Sequence, residues 1–292
     1  MIIFQLKNRI LIALMAISHL VQSQTTTIDY SWGMTKGKLT RTSIIKNGER
    51  VLNGPFYYIG KEKSPSTMTV KANLKDAKWD GPFSMSWICP SADGFNFTAS
   101  GKFVLDSMDG PWVFVVNGYN EGKRINKKIA LTFNRGTVIK VEINDLIDKS
   151  TKKFDCNKKG IVHGVSTWRG YEDGFLVEYK WIFVHGVNTI ESKKDVASGQ
   201  FLIAPKALCD TSIIKEKYFS AVSNSFIKGD KIYELVDGRY SSIADYIFND
   251  YYLGYFRSGS NGKYKVYGSG YADFMETEKI KLPISYQVVL KE

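Results

Sequence analysis

Nucleophilic catalysis needs a serine, cysteine or threonine within reach of a base. Once residues 1–23 are set aside, the histidines that remain are His163 and His185. Both stand in a His-Gly-Val context 22 residues apart, which reads as one structural position used twice. The chain carries no Gly-x-Ser-x-Gly elbow, no phosphate-cradling glycine loop and no His-Glu-x-x-His. Cys156, His163, His185 and Cys209 are zinc-type donors, but spacings of 7, 22 and 24 lack the close ligand pair of structural zinc sites. Glycoside hydrolysis asks for two carboxylates at a set separation, and Asp80, Asp109, Glu172, Asp173 and Glu178 are the candidates. Asp80 and Asp109 precede glycines where turns are expected, and Glu172-Asp173-Gly174 reads as a hairpin turn. No catalytic residue, metal ligand or cofactor-binding residue is therefore assigned, and the expectation is a protein that is not an enzyme.

Binding chemistry is better represented. The chain has 6 Trp, 17 Tyr and 17 Phe, and such rings on an exposed sheet face stack on sugars or anchor a protein partner. The run Tyr251-Tyr252-Leu253-Gly254-Tyr255-Phe256 is the densest cluster. Forty Lys+Arg against 29 Asp+Glu give +11, with basic residues dispersed over Lys61 to Lys63, Lys149 to Lys153, Lys158-Lys159 and Lys193-Lys194. Without a recognisable nucleic-acid module, this balance fits a solvated surface, or one that meets anionic lipid or acidic polysaccharide, rather than nucleic acid.

The elements that would position these residues are announced by a repeat. Asn53-Gly54-Pro55-Phe56, Asp80-Gly81-Pro82-Phe83 and Asp109-Gly110-Pro111-Trp112 place their glycines 27 and 29 residues apart in a chain with seven prolines. Weaker copies follow at Arg135-Gly136, His163-Gly164 and His185-Gly186. Strand-like runs flank the glycines: Met68 to Leu74, Phe95 to Ala99, Ile129 to Phe133 and Phe175 to Val184. In the last, Phe175, Val177, Tyr179, Trp181 and Phe183 share one face, while Glu178 and Lys180 lie on the other. Glycine after Asn or Asp accepts the positive φ of a tight reversal, and proline sets the entry of the returning strand. The expected unit is strand, tight turn at Asn/Asp-Gly-Pro, strand, with the following aromatic stacking on its neighbour in the next unit.

The glycine and aromatic positions of Asn53-Gly54-Pro55-Phe56-Tyr57-Tyr58, Lys78-Trp79-Asp80-Gly81-Pro82-Phe83 and Met108-Asp109-Gly110-Pro111-Trp112 resemble MORN repeats, in the degenerate form found in exported proteins of the Bacteroidetes type. The resemblance covers roughly residues 35–190. It implies β-hairpin units joined into an elongated antiparallel sheet, and an association with membranes or protein partners. The period here is longer than the family's, and its Gly-x-Gly spacing is mostly absent. The family motif is structural and assigns no functional residue.

Lys7 and Arg9, the apolar run Ile10 to Val21 and small residues up to Ser23 read as a signal peptide cleaved before Gln24. Its 23 residues carry two bases and no acid, so the net charge falls from +11 to +9 on cleavage. The expected location is periplasmic or secreted, with no integral membrane segment in the mature chain. Cys89, Cys156 and Cys209 allow one disulfide or none. After Pro205 the texture changes. Thr211 to Phe226 and Ser242 to Tyr252 have helical spacing, and Gly262 to Gly268 and Ile284 to Leu290 read as strands.

The expectation is a mainly β chain, an elongated antiparallel meander of stacked hairpins with a smaller C-terminal α+β region. Residues 1–23 form the signal, 24–200 the repeat region and 201–292 the C-terminal region or cap. The expected function is an exported non-enzymatic scaffold binding a protein or envelope component through its sheet surface. The alternative is a glycan-binding or carbohydrate-active protein using aromatic and acidic residues on one sheet face.

Overall fold

The computed structural model describes residues 23–32, 35–61, 66–88, 90, 94, 96–120 and 123–208, together with the backbone of 225–228, 231–238 and 285–290. The strands are β1 (Ser23–Trp32), β2 (Thr35–Lys46), β3 (Glu49–Lys61), β4 (Thr67–Lys75), β5 (Lys78–Trp79), β6 (Gly81–Ile88), β7 (Asn96–Val104), β8 (Ser107–Asn120) and β9 (Lys123–Asn134). They continue with β10 (Thr137–Asp145), β11 (Ser150–Asp155), β12 (Gly164–Glu172), β13 (Phe175–Val184), β14 (Val187–Asp195), β15 (Phe201–Ala207), β16 (Ser225–Lys228), β17 (Lys231–Gly238) and β18 (Ser285–Leu290). From β1 to β15 each strand pairs antiparallel with the next, except that β5 and β6 do not pair with each other and both pair with β4. The chain is thus a mainly β antiparallel meander. Strands β16 to β18 pair antiparallel with one another, and β18 touches β14 in parallel at Val187 and Tyr286. Of the C-terminal helices expected from spacing, Ser225 and Phe226 fall in β16; 211–224 and 242–252 lie outside the described residues, as does 262–268.

The hairpin turns are not where the Asn/Asp-Gly-Pro signal places them. Among the described residues, two-residue reversals occur at Asn47-Gly48, Asp76-Ala77, Leu105-Asp106, Arg135-Gly136, Asp173-Gly174 and His185-Gly186, each with positive φ at both residues. That is the twist-matched two-residue turn favoured between right-twisted strands. The Gly-Pro motifs instead form bulges inside strands. Asn53, Gly54 and Pro55 together oppose the lone Thr42 of β2, and Gly110, Pro111 and Trp112 together oppose Gly101 of β7. Asp80, Gly81, Pro82 and Phe83 likewise oppose only Ala72 and Asn73 of β4, between the Leu74–Trp79 and Lys71–Ser84 pairs. Positive φ is required there, +105° at Gly54, +100° at Gly81 and +66° at Gly110, so the glycines serve their conformational purpose without reversing the chain. Proline tolerates the spot because a bulge interrupts the ladder that its missing N–H would otherwise break.

Bulging frees the residues after proline to load one face, here called the inner face. Phe56 and Tyr58 of β3, Phe83 and Met85 of β6, and Trp112 and Phe114 of β8 are all buried. Their rings touch from unit to unit: Phe56 meets Trp79 at 5.0 Å, Phe83 meets Phe103 at 5.3 Å, and Phe103 meets Trp112 at 5.0 Å, all near edge-to-face. Small residues on intervening strands make room. The Trp112 ring lies over Gly101, and its Nε1 donates to the Lys102 carbonyl at 3.0 Å. Tyr58 lies over Gly60, its hydroxyl 2.8 Å from the Thr35 hydroxyl. The outer face is mixed over the first eight strands: Thr40, Tyr57, Lys71, Ser84 and Ser100 follow one another across the ladder to Val113 of β8, and Ile59 and Val115 are exposed on the same face.

Candidate functional site

The acids and histidines that chemistry singled out are mostly bound into the joints between hairpins. Ahead of the glycines at 54, 81, 110 and 164, one residue offers its carbonyl to the following turn, and at the last three the next residue adds its side chain. The carbonyls of Leu52, Trp79, Met108 and Val162 accept from the second turn residue of the next hairpin, Ala77, Asp106, Gly136 and Gly186, at 2.7 to 2.8 Å. Asp80 Oδ1 accepts from the Leu105 N–H at 3.2 Å, and Asp109 Oδ1 from the Arg135 N–H at 3.3 Å. His163 occupies the same place and takes the His185 N–H on Nδ1 at 3.2 Å, with the two imidazoles 5.2 Å apart. The joints at Asp80, Asp109 and His163, termed latches below, satisfy both N–H groups of a turn that a hairpin by itself leaves to solvent. Burial opposes charge at Asp109, but the Arg135 N–H and the Lys102 ammonium outweigh it and hold the carboxyl below its ordinary range.

The five carboxylates proposed for sugar chemistry are not gathered at one point. Asp80 and Asp109 serve successive latches, and Asp173 occupies a turn with φ of +49°. Glu178 projects to the outer face and pairs with Lys194 at 3.1 Å, whereas Glu172 projects to the inner face and pairs with Lys193. Lys193 first, with Tyr179 assisting, lowers the Glu172 carboxyl below its ordinary range against a burial effect that would raise it. A general acid of glycoside hydrolysis needs the opposite shift. Cys156 is a free thiol whose burial pushes it up to about 12, with Asp155 adding to the shift, so it stays protonated. Cys89 and Cys209 lie outside the described residues, as does the Tyr251 to Phe256 run. Among the described residues no three His, Cys, Asp or Glu side chains cluster as metal ligands, and no helix is long and apolar enough to cross a membrane.

One row of aromatics leads out of the core. Along β13 the inner face carries Phe183, 2% exposed and in the core, Trp181, partly buried against it, the partly exposed Tyr179, the buried Val177 and Phe175, 66% exposed. Tyr179 and Trp181 stack at 5.4 Å with planes 10° apart, and Trp168 of β12 meets Tyr179 at 5.7 Å. Polar groups replace the aliphatic residues found on this face in earlier units. Glu172 accepts from the Tyr179 hydroxyl at 3.3 Å, and the Lys193 ammonium lies 5.0 Å from the Tyr179 ring centroid. Ser166, opposite Trp181, is buried, and its hydroxyl has no hydrogen-bond partner among the described residues. Period-two alternation exposed the β13 row in the sequence. Trp168 and Lys193 join it through cross-strand register, which a single strand's pattern does not reveal.

No family model, curated protein or solved structure matches the chain.

Proposed function

We propose that this chain is an exported, non-enzymatic scaffold of MORN-like repeats, working in the periplasm or outside the cell, that binds a protein or another envelope component through its sheet surface. The observation that carries the reading is where the reactive side chains go. Asp80, Asp109 and His163 are each engaged by a backbone N–H of the next hairpin, and most core rings are engaged by one another. Such a chain uses its chemistry to hold a sheet in register, which leaves a broad outer face of polar side chains interspersed with Ile59, Val113 and Val115 for contact.

Capture from envelope extract on the immobilised chain, residues 24–292, tests this. Ser84→Glu and Ser86→Glu place charge on the outer face of β6 and should abolish capture while leaving thermal melting unchanged. Capture that survives both substitutions would move the contact away from the outer face; no capture at all would sink the scaffold reading.

The second reading, glycan binding, is favoured by the Trp168, Tyr179, Trp181 and Phe175 group. Its rings emerge from the core beside an ionised carboxylate instead of closing on another hairpin.

A further inference from the structure

We propose that the inner face of β12 to β14 is a binding platform for an extended neutral saccharide chain. The inference deepens the scaffold reading by naming one envelope component, and it relies on that reading for an array that holds the platform rigid. From Trp181 to Phe175 the row spans about 20 Å at strand rise. Within it Trp181 and Tyr179 are partly exposed and Phe175 is exposed, with the buried Val177 between Tyr179 and Phe175. Trp168, whose ring lies over Gly170, widens the row beside Tyr179. Sugars present flat C–H faces that pack on aromatic faces, and hydroxyls around the rim that need donors and acceptors.

The rim groups are in place. The Glu172 carboxylate is an acceptor and the Lys193 ammonium a donor, and they are held together beside Tyr179. On the inner face of β11 to β14 the acids Glu172, Glu191 and Asp195 outnumber Lys152 and Lys193, so the platform favours a neutral chain over an anionic one. The shape of the row also argues against a globular protein in this place. A stable protein interface engages about 20–30 residues a side, whereas this row is a few rings wide and follows one strand. The buried Ser166 hydroxyl marks a further polar position beneath Trp181. Glu172 is held in its ion pair with Lys193, so the platform is assigned binding without cleavage.

The test is titration of the intact chain, residues 24–292, with soluble hexamers of β-1,4-linked glucose and of β-1,4-linked N-acetylglucosamine. Tryptophan fluorescence and calorimetry report binding. At least one hexamer should bind and perturb the emission of Trp168 and Trp181, and heparin should not compete. Phe175→Ala should weaken binding about fivefold or more with unchanged melting, as loss of one ring contact of ~1 kcal/mol predicts. Glu172→Gln separates roles further: it should weaken binding while the fluorescence of the free protein stays the same. Tyr57→Ala, on the outer face, should leave binding intact. The proposal is overturned if neither hexamer binds, if affinity is unmoved by Phe175→Ala and Glu172→Gln, or if heparin binds more tightly than either hexamer. Loss of this binding alongside intact capture by the outer face would end the saccharide inference and spare the scaffold reading, whereas loss of both would end the two together.

Discussion

At the scale of single residues, glycines do two unlike things in this sheet, and substitution separates them. At Gly101 the constraint is space. A Cβ built there would lie 2.2 Å from the Trp112 ring, which is fully buried and fixed by its bond to the Lys102 carbonyl. At Gly81 the constraint is backbone conformation. Its φ is +100°, while the nearest atom to a new Cβ is an ordinary 3.5 Å away on Asn73. Gly101→Ala should therefore cost about 1–3 kcal/mol through overpacking, and Gly101→Asn should cost no less. Gly81→Val should cost about 1–3 kcal/mol through strain. Gly81→Asn should recover part of that cost, because asparagine tolerates positive φ better than a β-branched residue. Urea denaturation of the four variants reads the difference. Equal losses for Val and Asn at position 81 would remove the conformational explanation.

Among the elements, the joint between hairpins makes the sharper prediction. Asp109→Ala removes the acceptor of the Arg135 N–H and the Lys102 ion pair, but leaves the Gly136 N–H on the Met108 carbonyl. Hydrogen exchange should speed up at Arg135 and change little at Gly136, with a stability loss of about 1 kcal/mol. Asp109→Asn keeps an acceptor oxygen and should restore most of the Arg135 protection; exchange rising equally at both amides would mean the turn leaves as a whole and that the side chain is no separate latch. His163→Leu should act on His185 in the same way. The elements themselves were legible in the sequence, since alternation from Phe175 to Val184 marks β13 and the recurring Asn/Asp-Gly-Pro-aromatic motif marks the repeat. The place of the turns was legible only in part: Asp173-Gly174, read as a hairpin turn, is one, and Arg135-Gly136 and His185-Gly186 are reversals too. Before proline, at Asp80-Gly81 and Asp109-Gly110, the same strong hairpin signal codes a bulge instead, and reversals at Asp76-Ala77 and Leu105-Asp106 adopt positive φ without glycine. Those turns are fixed by bonds to the preceding hairpin about 25 residues away, information that no local window contains. The candidate site divides likewise: alternation shows the row of rings, but the pairing of Glu172 with Lys193 depends on the register of three strands.

For the molecule as a whole, charge and burial are distributed unevenly along the array, and both affect how it unfolds. Glu142, held below its ordinary pKa mainly by Lys153, joins Asp109 and Glu172 as carboxylates favoured in ionised form by folding. A folded pKa below the unfolded value means their stabilisation is complete above the ordinary carboxylate range and is lost as pH falls through the lowered values. Protonation also adds to an excess of positive charge that is already +11. The melting temperature should hold from pH 7 to about 5 and fall steeply below about 4; a flat profile down to pH 3 would contradict the latch and ion-pair assignments. Denaturant should then reveal the unequal burial. From β2 to β11 the inner face is a nearly continuous set of buried apolar side chains from Leu39 to Phe154. On β12 to β14 the buried apolar side chains are Val177, Phe183 and Val187, with partly exposed rings and ion-paired groups between them. In a linear array each hairpin is supported chiefly by its neighbours, so stability varies along the chain instead of averaging over it. Amides of β13 should therefore exchange at lower urea than those of β8, and Trp181 should lose its environment before Trp112 when each is kept as the reporter in a phenylalanine background. A saccharide bound on β12 to β14 would stabilise that end by mass action and bring the two midpoints together. Midpoints that coincide without any ligand would show a single cooperative unit and overturn the picture of an array with a firm core and a looser, ligand-facing end.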